Sequence, residues 1–273
     1  MCEECGCGLP GPTKIDGRPM RPATHGHPHP HEHTHADGTT HSHAHEHPHH
    51  HDHDHGTREV AVHESLFAAN DRRAERNRGH FEALGLLVLN VVSSPGSGKT
   101  TLLARTIERL AGKAKVGVIV GDLETDNDAK RLRVTGAPVV QVSTGTLCHL
   151  DAEMVGEALK NLDARALDVL IIENVGNLVC PAQFDLGEAL RVTMLAVTEG
   201  EDKPLKYPPI FRSADVVVVT KTDLVPHLDY DREAALANIR RVSPKARIFE
   251  TSARTGAGLD AWCEFLLGAR APA

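Results

Sequence analysis

Short, mostly aliphatic runs alternate with amphipathic stretches of helical period from residue 86 onward. Such runs are typical of strands that are buried on both faces, and helices between them indicate parallel pairing. The pattern predicts an α/β fold with a mostly parallel sheet and helices on both faces. The predicted strands are Leu86–Val92, Val116–Val120, Val139–Val142, Leu167–Ile172, Val192–Val197, Val216–Thr220 and Arg247–Glu250, and the predicted helices are Thr100–Ala111, Ala152–Leu162, Arg232–Val242 and Leu259–Leu267.

Residues 1–57 follow a different pattern, with almost no large apolar side chains and many His, Pro, Gly, Asp and Glu residues. Burial there cannot offset the entropy of ordering, so we predict a disordered tail. Residues 58–85 are polar with scattered apolar positions, and we predict that they form a helical lead-in. The domain with the alternating pattern is predicted to span residues 86–268.

The composition excludes several classes of protein. The 273 residues carry a net charge of −7 with histidine neutral, which disfavours binding to nucleic acid. No apolar run reaches the roughly eighteen residues of a membrane span, and no signal pattern begins the chain. We therefore expect a soluble, cytoplasmic protein that binds neither nucleic acid nor membranes. The six cysteines are unevenly spread and are expected to be thiols or metal ligands.

A candidate phosphate-binding loop lies between the first predicted strand and the first predicted helix. Its sequence is Pro95-Gly96-Ser97-Gly98-Lys99-Thr100-Thr101. Glycines allow backbone N–H groups to converge on phosphates, and the helix N-terminus adds a partial positive charge. Lys99 would reach the β and γ phosphates, and the Thr100 hydroxyl would bind Mg²⁺. Ser93 replaces the first glycine of the usual motif, and a simple glycine-rich turn is the alternative.

A second loop carries a candidate motif for base recognition. A predicted strand ends in Thr220-Lys221-Thr222-Asp223, which resembles the N/T-K-x-D element of GTPases. The aspartate can accept hydrogen bonds from N1–H and the amino group of guanine, a donor pair that adenine lacks, while the lysine stem covers the base. Thr220 replaces the commoner Asn, which predicts a weaker contact with the phosphate loop. Ser252 and Ala253 resemble the last guanine-contacting loop, so the predicted nucleotide is GTP.

Carboxylates follow two other predicted strands at the same edge of the sheet. Asp122 follows one strand, and Glu173-Asn174-Val175-Gly176 follows another and resembles the E-x-x-G element that senses a γ-phosphate. Such carboxylates hold Mg²⁺ and orient an attacking water. We predict catalytic roles for Lys99, Asp122 and Glu173, with Asp122 and Asp128 as candidate Mg²⁺ ligands. Since no catalytic glutamine or arginine finger is evident, intrinsic hydrolysis is predicted to be slow.

Two features of the predicted tail point to metal binding. Cys2, Cys5 and Cys7 place three soft thiolates within six residues, which suits ions of the nickel, copper and zinc group. Fifteen of the 19 histidines lie between His25 and His55, and this number of imidazoles favours storage of several ions. Chance thiols and an expression tag are the respective alternatives.

A third candidate metal site combines residues that are distant in the sequence. Cys148 and His149 precede a predicted helix, and Cys180 comes shortly after the Glu173–Gly176 element. A loop from the γ-phosphate sensor would therefore carry a metal ligand, and two copies of the chain could share an ion there. Metal ligands and buried structural cysteines are both open interpretations of these positions.

Together these motifs resemble the HypB family, the nickel-incorporation GTPases of hydrogenase maturation. Further signatures are Ser93–Thr101, Asn174–Pro181 and the run from Glu199 to Pro208. The resemblance covers residues 86–267 and the extreme N-terminus. It implies a P-loop NTPase fold of the SIMIBI type and a homodimer promoted by GTP or metal. It also implies delivery of Ni²⁺ to the large-subunit precursor of nickel–iron hydrogenase, together with a HypA-type metallochaperone.

The same resemblance implies ligand sets for the metals. Nickel is implied at the three cysteines of the tail, and Ni²⁺ or Zn²⁺ at Cys148, His149 and Cys180. One alternative is the urease nickel GTPase, whose Cys-Pro-His motif is not matched here. Another is a passive nickel-storage protein with a vestigial nucleotide site, and a third is an ATP-dependent P-loop kinase, which would not need Asp223.

Overall fold

The computed structural model describes the backbone of residues 13–20, 32–34, 40–42 and 55–270, and the side chains of residues 13–20 and 67–270. The chain divides into two compact units, one of residues 1–20 with 66–273 and one of residues 21–65. The second unit contains an antiparallel pair, β3 (Glu32–Thr34) and β4 (Thr40–Ser42), and the start of helix α1 (His55–Ala83).

A nine-stranded sheet forms the framework of the first unit. Its strands are β1 (Lys14–Ile15), β2 (Arg18–Pro19), β5 (Leu87–Ser93), β6 (Val116–Asp122), β7 (Val139–Ser143), β8 (Val169–Glu173), β9 (Leu190–Ala196), β10 (Val216–Thr220) and β11 (Arg247–Glu250). They lie in the order β11-β10-β9-β5-β8-β6-β7-β1-β2. Strands β5 to β11 pair in parallel, and only the edge pairs with β1 are antiparallel. The predicted mostly parallel sheet is confirmed.

Helices cover both faces of this sheet, as predicted. After α1 they are α2 (Lys99–Leu110), α3 (Asn127–Arg133), α4 (Ala152–Leu159), α5 (Lys203–Lys206), α6 (Pro208–Arg212), α7 (Arg232–Val242) and α8 (Leu259–Ala269). Alternate side chains of a strand point to opposite faces. In β5, Leu87, Leu89 and Val91 therefore pack with α2 and α8, while Val88 packs with α1 and α4 and Val92 packs with α6 and α7.

The structure differs from the prediction at residues 14–19, which form a hairpin inside the segment predicted to be disordered. Main-chain hydrogen bonds to the open edge of β7 support the hairpin, including Asp16 N–H to Gln141 C=O at 2.8 Å. Ile15 and Met20 are partly buried and pack against the core. The composition of the whole tail conceals these two apolar positions, which explains why the hydrophobic pattern did not indicate this hairpin.

Helix α3 is a second element that the hydrophobic pattern did not predict. It has seven residues, of which Ala129 and Leu132 are buried. Two apolar positions are too few to establish a helical period. The helix nevertheless matters for the site, because it follows the loop after β6 and carries Asp128 in its first turn.

The hairpin contacts give a testable prediction. We expect Asp16→Ala to lower the free energy of unfolding by about 1–2 kcal/mol, because Asp16 Oδ1 accepts the Gln141 N–H at 3.0 Å and the residue has a φ of 44°. Asp16→Asn keeps an acceptor and tolerates positive φ, so its effect is expected to be much smaller. Urea denaturation measures both values, and equal losses for the two variants would contradict this assignment.

Candidate functional site

The candidate phosphate loop lies between the end of β5 and the start of α2. Gly96 and Gly98 have φ values of 74° and 94°, a region that residues with a Cβ rarely adopt. These two glycines allow the chain to turn tightly before Lys99 begins the helix. The backbone N–H groups of the loop and the N-terminus of α2 are therefore available to an anion.

A cavity of about 540 Å³ lies against this loop. It brings together the residues that the sequence assigned to phosphate and Mg²⁺, although they come from four separate segments. Its lining consists of Pro95–Thr101, Gly121, Asp122, Leu123, Asp128, Arg131, Glu173–Gly176 and Lys221. The carboxyl ends of parallel strands are the usual place for ligands in such folds, and this cavity lies there.

Glu173 ends β8 and is the most deeply buried carboxylate of the cavity, with 2% of its surface exposed. Thr100 Oγ1 donates a hydrogen bond to Glu173 Oε1 at 2.8 Å, and within the described residues the buried Oε2 atom has no hydrogen-bond partner. Burial raises the pKa of Glu173 to about 7, although the Lys99 ammonium opposes this shift. Burial also lowers the pKa of Lys99, whose Nζ donates to Ser93 Oγ at 2.9 Å.

These oxygen groups fit a hard divalent cation. Mg²⁺ prefers carboxylate, hydroxyl and water oxygens, and the free Oε2 of Glu173 beside the Thr100 hydroxyl offers such a set. Asp122 Oδ1 accepts the N–H groups of Glu124 and Thr125, each at 3.1 Å, which orients its carboxylate at the cavity edge. Asp128, in the first turn of α3, adds a further carboxylate to the lining of the cavity.

The candidate base-recognition loop is attached directly to the phosphate loop. Thr220 Oγ1 donates to the Ser97 carbonyl at 2.8 Å, so the threonine does make a hydrogen bond to the phosphate loop in place of the commoner Asn. Lys221 adopts a left-handed φ of 59°, and its Nζ donates to the Gly96 carbonyl at 2.7 Å. Two hydrogen bonds thus fix the base loop relative to the phosphate loop.

A second cavity of about 250 Å³ lies beside this loop and shares Ser97, Gly98, Thr101 and Lys221 with the first cavity. The two cavities are therefore adjacent, as a nucleotide with its phosphates requires. The further lining of the second cavity is Leu102, Thr220, Asp223, Leu224, Thr251, Ala253 and Arg254.

Asp223 is oriented within the second cavity by the loop after β11. Ser252 Oγ donates to Asp223 Oδ1 at 2.6 Å, which brings the two predicted base-recognition segments into contact. The Arg254 guanidinium lies 3.7 Å from Asp223 Oδ2 and is otherwise mostly exposed. Sequence reasoning missed Arg254, and the only available signal was its place directly after Ser252 and Ala253.

The third candidate metal site is assembled by the fold. One potential ligand atom from each of Cys148, His149 and Cys180 lies within 4.8 Å of the others, and the two sulfur atoms are 2.9 Å apart. His149 Nδ1 is buried and has no hydrogen-bond partner among the described residues. Burial lowers the pKa of His149, which favours the neutral imidazole that binds metals. Two thiols and one imidazole suit soft or borderline ions such as Ni²⁺ and Zn²⁺.

A short segment connects this triad, defined as Cys148, His149 and Cys180, to the phosphate cavity. A Cβ added at Gly176 would lie 3.1 Å from Pro95 Cα, so the segment packs tightly against the phosphate loop. Farther along, Asn177 Nδ2 donates to the Cys148 carbonyl at 3.3 Å. Residues 173–180 therefore contact both sites.

Comparison with known proteins agrees with this geometry. Residues 87–250 match the family described as CobW/HypB/UreG, nucleotide-binding domain. The hydrogenase maturation factor HypB of Azotobacter vinelandii is 56% identical over 210 residues, which cover 77% of this chain and 69% of that protein. The chain belongs to the HypB family. This membership confirms the resemblance found in the sequence.

Solved structures of the HypB family share the fold. The crystal structure of HypB from Archaeoglobus fulgidus has a TM-score of 0.70 and 43% identity, covering 75% of this chain and 100% of that chain. The structure of HypB from Helicobacter pylori in complex with nickel has a TM-score of 0.70 and 40% identity, covering 74% and 95%. The predicted P-loop GTPase fold is thereby confirmed.

Some predicted features lie outside the described residues. They include Cys2, Cys5, Cys7 and most of the histidine tract. Among the described helices, none is both long and apolar enough to cross a membrane.

The buried Glu173 carboxyl predicts a pH-dependent cost in stability. Its pKa is raised to about 7 in the folded protein from an ordinary 4.5, so folding becomes less favourable as the pH rises through this interval. In the nucleotide-free protein without divalent ions, we expect Glu173→Gln to raise the free energy of unfolding by about 1–3 kcal/mol at pH 8 and by little at pH 5.

Urea denaturation at the two pH values measures this effect. Glu124→Gln, at an exposed carboxylate of the neighbouring loop, is the matched control and is expected to show no such gain. A wild-type protein more stable than Glu173→Gln at pH 8 would contradict the prediction.

Proposed function

We propose that this protein is a GTP-hydrolysing nickel metallochaperone that delivers Ni²⁺ for the maturation of nickel–iron hydrogenase. The observation that carries the proposal is the contact of one segment, residues 173–180, with both a nucleotide-sized cavity pair and a Cys–His–Cys triad. The names of the relatives support the pathway, and the nickel complex of the Helicobacter pylori protein supports the metal.

In this proposal the phosphate loop binds GTP through its backbone N–H groups and Lys99. The Thr100 hydroxyl and the carboxylates of Asp122, Asp128 and Glu173 would hold Mg²⁺, which when bound neutralises charge on the β and γ phosphates. Glu173 and Gly176 both line the phosphate cavity, so their segment is placed to respond to a γ-phosphate. Among the described residues, the lining of the phosphate cavity contains no glutamine and one arginine, Arg131. The lack of a glutamine that could orient the attacking water favours slow intrinsic turnover.

Nickel is the cargo, and the triad is its proposed binding site in the GTPase domain, with Zn²⁺ as the competing ion. Cys2, Cys5 and Cys7 are proposed as a second site, and the histidine tract as a store. Cys180 and its exposed neighbour Val179 lie together at the surface, where a second copy of the chain can bring a symmetric triad. We propose a homodimer promoted by GTP or metal that works in the cytoplasm with a HypA-type metallochaperone and the hydrogenase large-subunit precursor.

Base recognition gives a prediction. Asp223→Asn replaces two acceptors by a donor and an acceptor, so GTP binding is expected to weaken about a hundredfold or more while xanthosine triphosphate binding improves. Calorimetric titration with both nucleotides measures this change. Asp229→Asn, at an exposed aspartate nearby, serves as the control and is expected to bind GTP normally. Unchanged GTP affinity of Asp223→Asn would remove this residue from the site.

The metal triad gives a second prediction, measured on the full chain carrying Cys2→Ser, Cys5→Ser and Cys7→Ser. In this background, thiolate-to-nickel charge-transfer absorption can come only from Cys148, Cys180 and the buried Cys263. Adding Cys180→Ala is expected to lower Ni²⁺ affinity at this site at least about tenfold and to diminish the absorption.

Adding Cys263→Ala to the same background is the control, since that thiol belongs to helix α8 and is buried in the core. It is expected to leave the absorption unchanged. An unaltered spectrum and nickel affinity in Cys180→Ala would refute the triad as a metal site.

A further inference from the structure

A line of buried, hydrogen-bonded polar side chains crosses the mostly apolar sheet between the triad and the phosphate-loop strand. It begins at Asn174, which is 1% exposed and directly follows Glu173. Asn174 Oδ1 accepts the N–H of Leu150, the residue after His149, at 3.1 Å, and the N–H of Val175 at 2.9 Å. One amide group thus joins the metal-ligand loop to the segment that follows Glu173.

The line continues through β5, the strand that ends in the phosphate loop. Asn174 Nδ2 donates to Asn90 Oδ1 at 3.2 Å, and Asn90 Nδ2 donates to Glu188 Oε1 at 3.1 Å. Asn90 is fully buried and lies three residues before Ser93, where β5 ends. A displacement of β5 therefore acts on both hydrogen-bond partners of Asn90, which are Asn174 and Glu188.

The far end of the line returns to the triad. Glu188 accepts the Arg191 Nε–H at 2.8 Å, and Arg191 in turn donates to the carbonyls of Ala182 and Phe184 at 3.4 and 2.8 Å. Those carbonyls belong to the turn that begins at Cys180 and to the residue after it. The Phe184 ring stacks on His149 with centroids 3.9 Å apart.

Asn174 lines the phosphate cavity, but neither nucleotide chemistry nor simple packing accounts for the other three side chains. Asn90, Glu188 and Arg191 line neither the phosphate cavity nor the base cavity. Burying amides and an ion pair costs free energy that apolar residues of similar size would avoid. Fully connected polar networks do, however, fix one arrangement of the groups at their ends. Here both ends lie beside metal ligands.

We propose that Asn174, Asn90, Glu188 and Arg191 are positioning residues that hold the Cys148–His149–Cys180 triad in a geometry set by strand β5 and the phosphate loop. This inference rests on the proposed function and adds the connection between its two sites. Leu150 fixes the loop of Cys148 and His149, while Ala182 and Phe184 fix the turn of Cys180. A phosphate-dependent shift of β5 or residues 173–176 then changes the distance between the two sets of ligands.

The test compares Ni²⁺ dissociation constants with GDP and with a non-hydrolysable GTP analogue bound, followed by thiolate-to-nickel absorption. It uses the full chain with Cys2→Ser, Cys5→Ser and Cys7→Ser. This background is expected to show a ratio of the two constants between about 5 and 150. Asn90→Leu keeps the number and branching of the side-chain heavy atoms but removes both hydrogen bonds in the middle of the line. We expect it to bring the ratio close to one and to weaken nickel binding about 10- to 100-fold.

Two further variants separate positioning from a general loss of structure. Thr193→Val removes another buried hydrogen bond, to the Ile210 carbonyl, and is expected to keep the ratio. Glu188→Gln keeps its shape and is expected to lower the ratio, and it replaces Asn90→Leu if that variant does not fold.

The outcomes are distinct. The proposal is overturned if Asn90→Leu and Glu188→Gln both keep the ratio of Ni²⁺ dissociation constants that the background protein shows. It is also overturned if Thr193→Val lowers this ratio as much as they do. A ratio of one in the background protein would also overturn it while leaving nickel and GTP binding intact. Absence of nickel or GTP binding in the background protein would instead refute the proposed function itself and, with it, this inference.

Discussion

The burial of the Glu173 carboxylate beside Lys99 and Thr100 is the constraint that organises this molecule. Parallel pairing of β5 with β8 places the ends of the two strands side by side, so the phosphate loop and Glu173 meet at one edge of the sheet. Two ionisable groups, the Lys99 ammonium and the Glu173 carboxylate, are buried there, and the Oε2 atom of Glu173 has no hydrogen-bond partner among the described residues. Such groups cost stability unless a ligand satisfies them, and the cavity beside them has room for a cation and phosphates.

Chain continuity extends this constraint to the candidate metal site, the Cys148–His149–Cys180 triad. The segment that starts with Glu173 packs on Pro95 at Gly176 and contacts the Cys148 carbonyl through Asn177. Helix α1 also contacts the two chain segments that carry the triad, through Asn70. Asn70 accepts the Ala152 N–H and donates to the Asp185 carbonyl. It thus joins the chain just after His149 to the chain just after Cys180. The triad is therefore held from both the core and the surface.

The sequence predicted those parts of the fold and site whose signals are local. The strands, the phosphate loop and the carboxylate at the end of β8 all follow from short motifs in a recognisable context. The hairpin at Ile15 was concealed by the composition around it. Asn90 was visible only as a polar residue inside an aliphatic strand, and nothing in the sequence indicated that Asn174 and Glu188 would be its partners, because those contacts depend on strand order.

In the proposed mechanism one segment, residues 173–180, serves both the nucleotide and the metal. Linkage requires that nickel in the triad change the relative affinity for a GTP analogue and GDP by the same factor as these nucleotides change nickel affinity. The most direct measurement is the ratio of the two nucleotide dissociation constants, with and without Ni²⁺, in the chain whose three tail cysteines are serine. We predict that nickel changes this ratio between about 5- and 150-fold. An unchanged ratio with nickel bound in the triad would contradict the account.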